Sequence, residues 1–296
     1  MKLQRLIVWL PCLFVAFTLG CAPEEPVSND KLTVGVVSYE DSEVSLERYQ
    51  RFQNYLAEQT KIPIELEIAY NELKAVAEIE RNNWDIVFAP PGLAAIAANR
   101  GYIQLFPLEN RGYAKFGLIV THADSDIQEL SDLQDEIMAL GKRGSASGYY
   151  LPLYDLYGLT LKEVRFAPTP KTVLEWIESG EVAAGALSET DFEEFKSAYG
   201  ADSFRILQKS RAIPPGVVLL GLVERNQSEF ITRVMREAPP DIASDAKYLP
   251  TAQLPSYDHF FQIVEKVRPL EERVQQIPAT LTIDEPETEA EPEAQN

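Results

Sequence analysis

The chain has 296 residues, 45% hydrophobic and 25% charged, with a formal charge of −19. The apolar share suffices for a globular core, while so acidic a surface repels nucleic acid and anionic lipid headgroups, and no nucleic-acid partner is expected. Two cysteines and two histidines leave little for thiol chemistry or for His- and Cys-rich metal sites, so no catalytic residue, metal or cofactor is expected.

At the amino end, Lys2 and Arg5 surround the start of an apolar run, Leu6 to Leu19. The run is too short for a spanning helix and reads as the hydrophobic region of an export signal. "TLGC", Thr18 to Cys21, closes it and resembles a bacterial lipobox, although Leu is commoner where Thr18 stands. Cleavage ahead of Cys21 and lipid on its thiol would follow. The other reading is an ordinary cleaved signal with an incidental cysteine. On the first reading, residues 1–20 are a lipoprotein signal peptide, and the protein is exported to the periplasm or cell surface and anchored to the membrane by lipid. Cys12 would be removed, leaving a folded part without thiols that relies on core burial. Residues 21–31, with "APEEPVSND", are Pro-rich and acidic and are expected to act as a tether.

"KLTVGVVS", Lys31 to Ser38, predicts a buried first strand. Leu46, Tyr49, Phe52 and Leu56 recur at helical spacing in "SEVSLERYQRFQNYLAEQT". Ile62 to Tyr70 predicts a strand, and "NELKAVAEIERNN" a helix with Leu73, Val76 and Ile79 on one face. Trp84 to Pro90 predicts another strand, and "PGLAAIAANRG" a short helix. Strand, helix, strand, helix, strand at these spacings means βαβ units and a parallel sheet. Further strands are predicted over Tyr113–His122, Glu136–Leu140, in "AAGALSE", in "SFRILQKS" and in "GVVLLGLV". Helices are predicted over Tyr149–Tyr157 and in "TPKTVLEWIESGEV", and Glu229–Val274 is expected to be mostly helical. Residues 278–296 are expected to be an acidic disordered tail, with six acidic residues between Asp284 and Glu293.

Between the predicted strand at Glu136–Leu140 and the helix after it lies "GKRGSASGYYLP", Gly141 to Pro152. A strand, a small-residue turn and a helix start gather unpaired backbone N–H groups at one place, where the helix dipole favours negative charge. Ser145 and Ser147 add hydroxyls, Gly148 allows close approach, and Pro152 fits near a helix start. From the residues alone, an anion cradle and a capped helix after a glycine turn stand side by side. The spacing is not that of a nucleotide P-loop.

Three segments carry a wider resemblance: "LTVGVVS", "WDIVFAPPGL" and, above all, "SASGYYLP". In their order and spacing, the chain from about Leu32 to about Val274 resembles the phosphonate/phosphite/phosphate-type (PhnD-like) substrate-binding proteins of ABC transporters. The resemblance implies an α/β fold of the type II periplasmic-binding-protein kind: two lobes, each a mainly parallel sheet flanked by helices, closing like a venus flytrap. Lobe one would be residues 32–117 plus 215–277 and lobe two 118–214, with hinge crossings near Phe116–His122 and Arg211–Val218. The ligand would be a small oxyanion held between the lobes. It would be handled by a monomer that hands it to an ABC permease.

Carried over by motif, Ser145, Ala146 (through its N–H), Ser147 and Gly148 correspond to the oxyanion cradle, with Tyr149 beside them. Tyr39 follows the first strand, where an aromatic contact is common; its other reading is a loop tyrosine. Pro91 and Gly92, with Pro90, match a loop that approaches the ligand through its backbone. Departures are as informative. Leu93, Ala94 and Ala95 stand where a Tyr is common, "FAPTPKTV" offers Thr169 and Lys171 in place of a His, and "GEVAAG" has Ala183 and Ala184 where an acidic residue is frequent. Ser188, with Glu189 and Thr190, is a possible new contact or, as "SETDFEEF" suggests, a helix cap. Lys142 and Arg143 flank the cradle as an anion attractor or as solvated turn charges. His122 and His259 read as structural. With half of the family's recognition groups absent, the alternative is a sensor or interaction protein on the same fold, partnered with a sensor kinase.

Overall fold

The computed structural model describes residues 31–37, 42–109, 115–200 and 202–283, with backbone alone for 42–46. The chain divides after Asp30, and every described residue belongs to the unit that starts at Lys31. The signal peptide, the tether up to Asp30, Cys21 and Tyr39 therefore lie outside the described residues.

The first sheet has the order β2-β1-β3-β11-β4. Its strands are β1 (Leu32–Val37), β2 (Ile64–Ala69), β3 (Ile86–Ala89), β4 (Ile103–Pro107) and β11 (Val217–Leu220). The second sheet has the order β10-β5-β9-β6-β8. It is built from β5 (Gly117–His122), β6 (Ile137–Leu140), β8 (Glu163–Phe166), β9 (Ala184–Ser188) and β10 (Phe204–Lys209). A small third pairing joins β7 (Thr160–Leu161) to β12 (Ala279–Thr280). The helices are α1 (Ser42–Thr60), α2 (Glu72–Glu80), α3 (Pro91–Asn99), α4 (Leu151–Asp155), α5 (Pro170–Glu178), α6 (Glu189–Phe195), α7 (Arg225–Arg236), α8 (Pro240–Asp245) and α9 (Asp258–Val267).

The parallel pairing expected from the βαβ pattern is present where helices intervene: β1 with β2 and β3, and β6 with β8 and β9. The sheets as wholes are mixed. β11 runs antiparallel to β3 and β4, and β5 antiparallel to β9 and β10. β5 and β11 are the strands by which the chain arrives from the other sheet, so neither is bound by the crossover rule that makes βαβ strands parallel. The first crossing joins β4 to β5, and residues 110–114 of it lie outside the described residues. The stretch from Gly117 to His122, expected as hinge, is a full strand of the second sheet. The second crossing is 210–216, and the two run side by side: Ile213 N–H donates to Lys115 O at 2.8 Å, and Ser210 N–H to Gly117 O at 2.9 Å.

Strand alternation sorts the cores. Leu32, Val34 and Val36 of β1 with Val218 and Leu220 of β11 face α1, α7 and α8, where Phe52, Phe88 and Tyr248 meet edge to face. Leu118 and Val120 of β5 face α5 and α6. The opposite faces, Val217 and Leu219 on the first sheet and Ile119 on the second, share one cluster with α2, α3, α4 and α9. The apolar core is thus continuous between the two sheets. Its joint burial couples them.

The carboxyl end differs from expectation. Residues 278–283, assigned above to a disordered tail, are placed in the fold. β12 pairs with β7, Leu281 exchanges backbone bonds with Gly158 and Leu159, and Ala279 and Leu281 are fully buried. Ala279, Leu281 and Ile283 supply an alternating apolar face that the acidic run after Asp284 obscures in the sequence. Residues 284–296 lie outside the described part.

Candidate functional site

β6, between β9 and β8 in the second sheet, ends buried at Leu140 and delivers the Gly141–Tyr150 turn to the space between the sheets. Gly144 takes φ +103°, a left-handed conformation suited to glycine. Ser145, extended at φ −78° and ψ 125°, opens the helix, and its Oγ accepts from the N–H of Gly148 at 3.1 Å. Ala146–Tyr150 is a single π-helical stretch: Tyr150 N–H donates to Ser145 O at 3.1 Å. Such stretches are frequent at functional sites. Pro152 sits in the first turn of α4, where its missing N–H costs nothing. The helix expected from Tyr149 therefore begins earlier and in π form, because Gly148 and the Ser145 cap allow an extra residue in the turn.

The Ser145 hydroxyl, used as acceptor, keeps its proton for donation. Among the described residues, the amides of Ala146 and Ser147 and the Ser147 hydroxyl have no protein partner. One wall of the turn is Gly92 in the first turn of α3: a β-carbon at 92 would lie 2.1 Å from Gly144 O and 2.9 Å from Ala146 N. The other wall is Gly117 at the start of β5, whose β-carbon would lie 2.9 Å from Ser147 O. The turn carrying Ser145, Ala146, Ser147 and Gly148 is thus in close backbone approach to Gly92, the residue after Pro91 in α3.

Tyr149 points away into the core. It is 2% exposed, 5.1 Å from the Tyr150 ring and 6.2 Å from Phe166, and burial pushes its phenol well above the ordinary range. Leu93, Ala94 and Ala95 are buried in the same cluster, so the positions that depart from the family pattern contribute apolar packing. Thr169 caps α5, accepting from Thr172 N–H at 3.2 Å, and is exposed. Ser188 caps α6, accepting from Asp191 N–H at 3.0 Å. It also sits directly opposite Gly117, the turn's second wall, in the β5–β9 register.

Three residues not singled out by sequence, Glu80, Glu271 and Tyr150, complete the surroundings of the turn and its flanking Lys142 and Arg143. Arg143 leaves the turn and sets its Nη2 2.8 Å from Glu80 Oε1 of α2 and its Nε 2.8 Å from Glu271 Oε2. The guanidinium therefore ties the second sheet's turn to a helix of the first sheet and to the carboxyl-terminal segment. Tyr150 is fully buried with no well-aligned partner for its hydroxyl, and burial, with Glu271 nearby, raises its pKa strongly. Lys142 reaches Phe166 O at 3.4 Å. His122 lies 3.6 Å from Glu178, and His259 meets Arg211 at 2.8 Å. Among the described residues no His, Cys, Asp and Glu group could hold a metal ion, and no helix is long and apolar enough to cross a membrane.

The sequence profile of a family described as "ABC transporter, phosphonate, periplasmic substrate-binding protein" matches residues 34–254. No curated protein matches. Similar solved structures include XAC2383 from Xanthomonas citri bound to chloride ion, 19% identical, covering 81% of this chain and 99% of that one at TM-score 0.66. PhnD1 from Prochlorococcus marinus (MIT 9301), in complex with methylphosphonate, is 16% identical, with 80% and 98% covered at TM-score 0.57. A binding protein component of an ABC phosphonate transporter (PA3383) from Pseudomonas aeruginosa is 15% identical, with 82% and 97% covered at TM-score 0.52. At these identities the likeness fixes the fold, a two-lobed periplasmic-binding-protein architecture.

Proposed function

The chain belongs to the family of phosphonate-type periplasmic substrate-binding proteins of ABC transporters, and from that premise we propose that it binds a small oxyanion between two lobes and delivers it to an ABC importer. Lobe one comprises residues 32–117 with 215–277 and lobe two residues 118–214, except that Gly117, the first residue of β5, goes with the second sheet. The 278–283 strand lies against lobe two. The observation that supports the reading is the Ser145–Gly148 turn, where the Ala146 and Ser147 amides lack a protein partner among the described residues and the backbone lies close to Gly92 of α3. Charge-assisted bonds from such donors suit a phosphonate, phosphite or phosphate oxygen. Ser188 and Thr169 keep their caps in this scheme, and Tyr149 supports the turn from behind. Lipid on Cys21 holds the protein at the membrane beside its permease, facing the periplasm or the exterior.

Calorimetry of the Lys31–Asn296 protein with phosphite, methylphosphonate, phosphate and sulfate tests the proposal. Binding of at least one is expected, and Ser147→Ala should weaken it by about 1–3 kcal/mol, because a charged acceptor loses a donor. No response to any of the four removes the oxyanion. A second reading, a sensor or interaction protein, draws on one observation: Leu93, Ala94, Ala95, Tyr149 and Tyr150 fill the space beside the turn with a continuous core. It predicts no small-ligand response and capture of a membrane partner such as a sensor kinase.

A further inference from the structure

α2 presents a matched face to the turn that carries the cradle. Glu72, Val76 and Glu80 stand four residues apart and form one stripe of the helix. A β-carbon at Gly144 would lie 2.9 Å from the Glu72 β-carbon and 3.3 Å from Val76 Cγ2. Arg143 reaches the far end of the stripe, with Nη2 2.8 Å from Glu80 Oε1, while its Nε lies 2.8 Å from Glu271 Oε2. Glu80 is poorly placed for the helix itself. It shares the last turn of α2 with Glu78, where the dipole disfavours negative charge, and no basic residue of α2 stands in that turn. Asn83 donates to the Glu78 carboxylate and Arg100 to the Glu80 carbonyl, whereas the Glu80 carboxylate accepts from Arg143. The pairs of Arg51 with Asp241 and Asp245, and of Lys209 with Glu189, each stay on one sheet's side. The Arg143–Glu80 pair does not.

We propose that Arg143 and Glu80 form a latch between the two lobes: their pairing favours the closed form, and its breaking sets the rate at which a bound ligand leaves. Arg143 lies two residues before Ser145 in the same turn, so closing on Glu80 and closing on the ligand are one movement. Both are positioning residues. The guanidinium, its charge met by two carboxylates, holds the lobes and not the ligand. Take it away and Glu80 and Glu271 repel across the junction, which drives the lobes apart. Of the two carboxylates, Glu80 reports on the lobes, since α2 packs with β1 and β2 of the first sheet. Glu271 lies on the segment that continues to β12 on β7. The effect on ligand release rests on the oxyanion-binding reading; the latch between the lobes is measured without ligand.

The Lys31–Asn296 protein contains all three apolar clusters and no cysteine. Lys74 of α2 and Lys171 of α5 are exposed, one on each lobe, so a Lys74→Cys, Lys171→Cys protein takes two nitroxide labels. Their distance distribution, measured by pulsed electron spin resonance without ligand, should move to longer values in Glu80→Gln and further in Glu80→Arg, which turns attraction into repulsion. Glu78→Gln, the same loss of charge in the same helical turn, should leave it unchanged. Should Glu80→Arg fail to fold, Glu80→Gln, whose side chain is 40% exposed, decides alone. Distances that stay put in Glu80→Gln, or that lengthen as much in Glu78→Gln, overturn the latch, even where Tm falls as a purely structural pair would require. With a bound oxyanion, stopped-flow release should be about three- to tenfold faster in Glu80→Gln, with the association rate unchanged. Ser147→Ala should weaken binding without moving the labels. An unchanged release rate overturns the proposed control of release. If none of the four oxyanions binds, the oxyanion reading fails, and the label distances still decide the latch.

Discussion

Gly144 concentrates the constraints on the candidate site. Its φ of +103° excludes an ordinary side chain, and a β-carbon there would stand 2.8 Å from Leu93 and 2.9 Å from Glu72. Gly144→Ala is expected to destabilise the protein by about 1–3 kcal/mol in urea titrations. An oxyanion-dependent rise in Tm should shrink with it, because the turn cannot keep its place against α2 and α3. Arg143 tests the link between sheets differently. Arg143→Met leaves Glu80 and the 17%-exposed Glu271 without their cation. A loss of about 1–2 kcal/mol is expected, between the surface and buried limits for broken pairs. Sequence reasoning marked Arg143 as a flanking charge. It could not supply the partners, because Glu80 is 63 positions away and the pairing exists only once the two sheets meet. The cradle residues were readable for the opposite reason: their chemistry is local, a serine cap and two glycines within one turn.

The elements follow the same division between local and distant causes. β1, α1, α2 and β3 were legible from the apolar period within each segment, although Leu73, expected on one face of α2 with Val76 and Ile79, is exposed and Ala75 is buried with them instead. β4 (Ile103–Pro107) was missed because "IQLFP" is short, ends in proline and shows no clear alternation. β8 (Glu163–Phe166) carries two charges whose burial depends on its edge position in the second sheet. Ser188 shows how a capping residue beside a candidate site can be separated from ligand binding. It caps α6 and also donates to Asp191, whose pKa burial raises above 3.8 and this hydrogen bond partly lowers. Folding stability from a raised carboxyl is complete below its unfolded value and declines as pH climbs through the folded one. Ser188→Ala removes the cap, at about 1 kcal/mol, and raises Asp191 further. Its destabilisation should therefore be larger at pH 7 than at pH 4, while oxyanion affinity stays unchanged. A drop in affinity without that pH dependence would make Ser188 a ligand contact.

Across the whole molecule, the two-sheet plan was legible because its strands come in two consecutive blocks with β11 returning to the first. The third connection between the sheets was not. Residues 268–283 leave α9, which packs on both α3 and α4, and end on β7 beside the second sheet. Leu281, fully buried there, should cost about 2–4 kcal/mol when changed to Ala, measurable in urea. Ending the chain at Ile277 should lower Tm further and loosen amide exchange in α4 and α9. The connection also makes the two ends of the fold unequal under load. At the amino end, β1 lies inside the first sheet, with six residues in register on β2 and three on β3. A pull there must shear two ladders at once. At the carboxyl end, β12 holds β7 by a two-residue pairing, which a pull can peel one bond at a time. A pull through β1 therefore meets the stronger grip of the two ends.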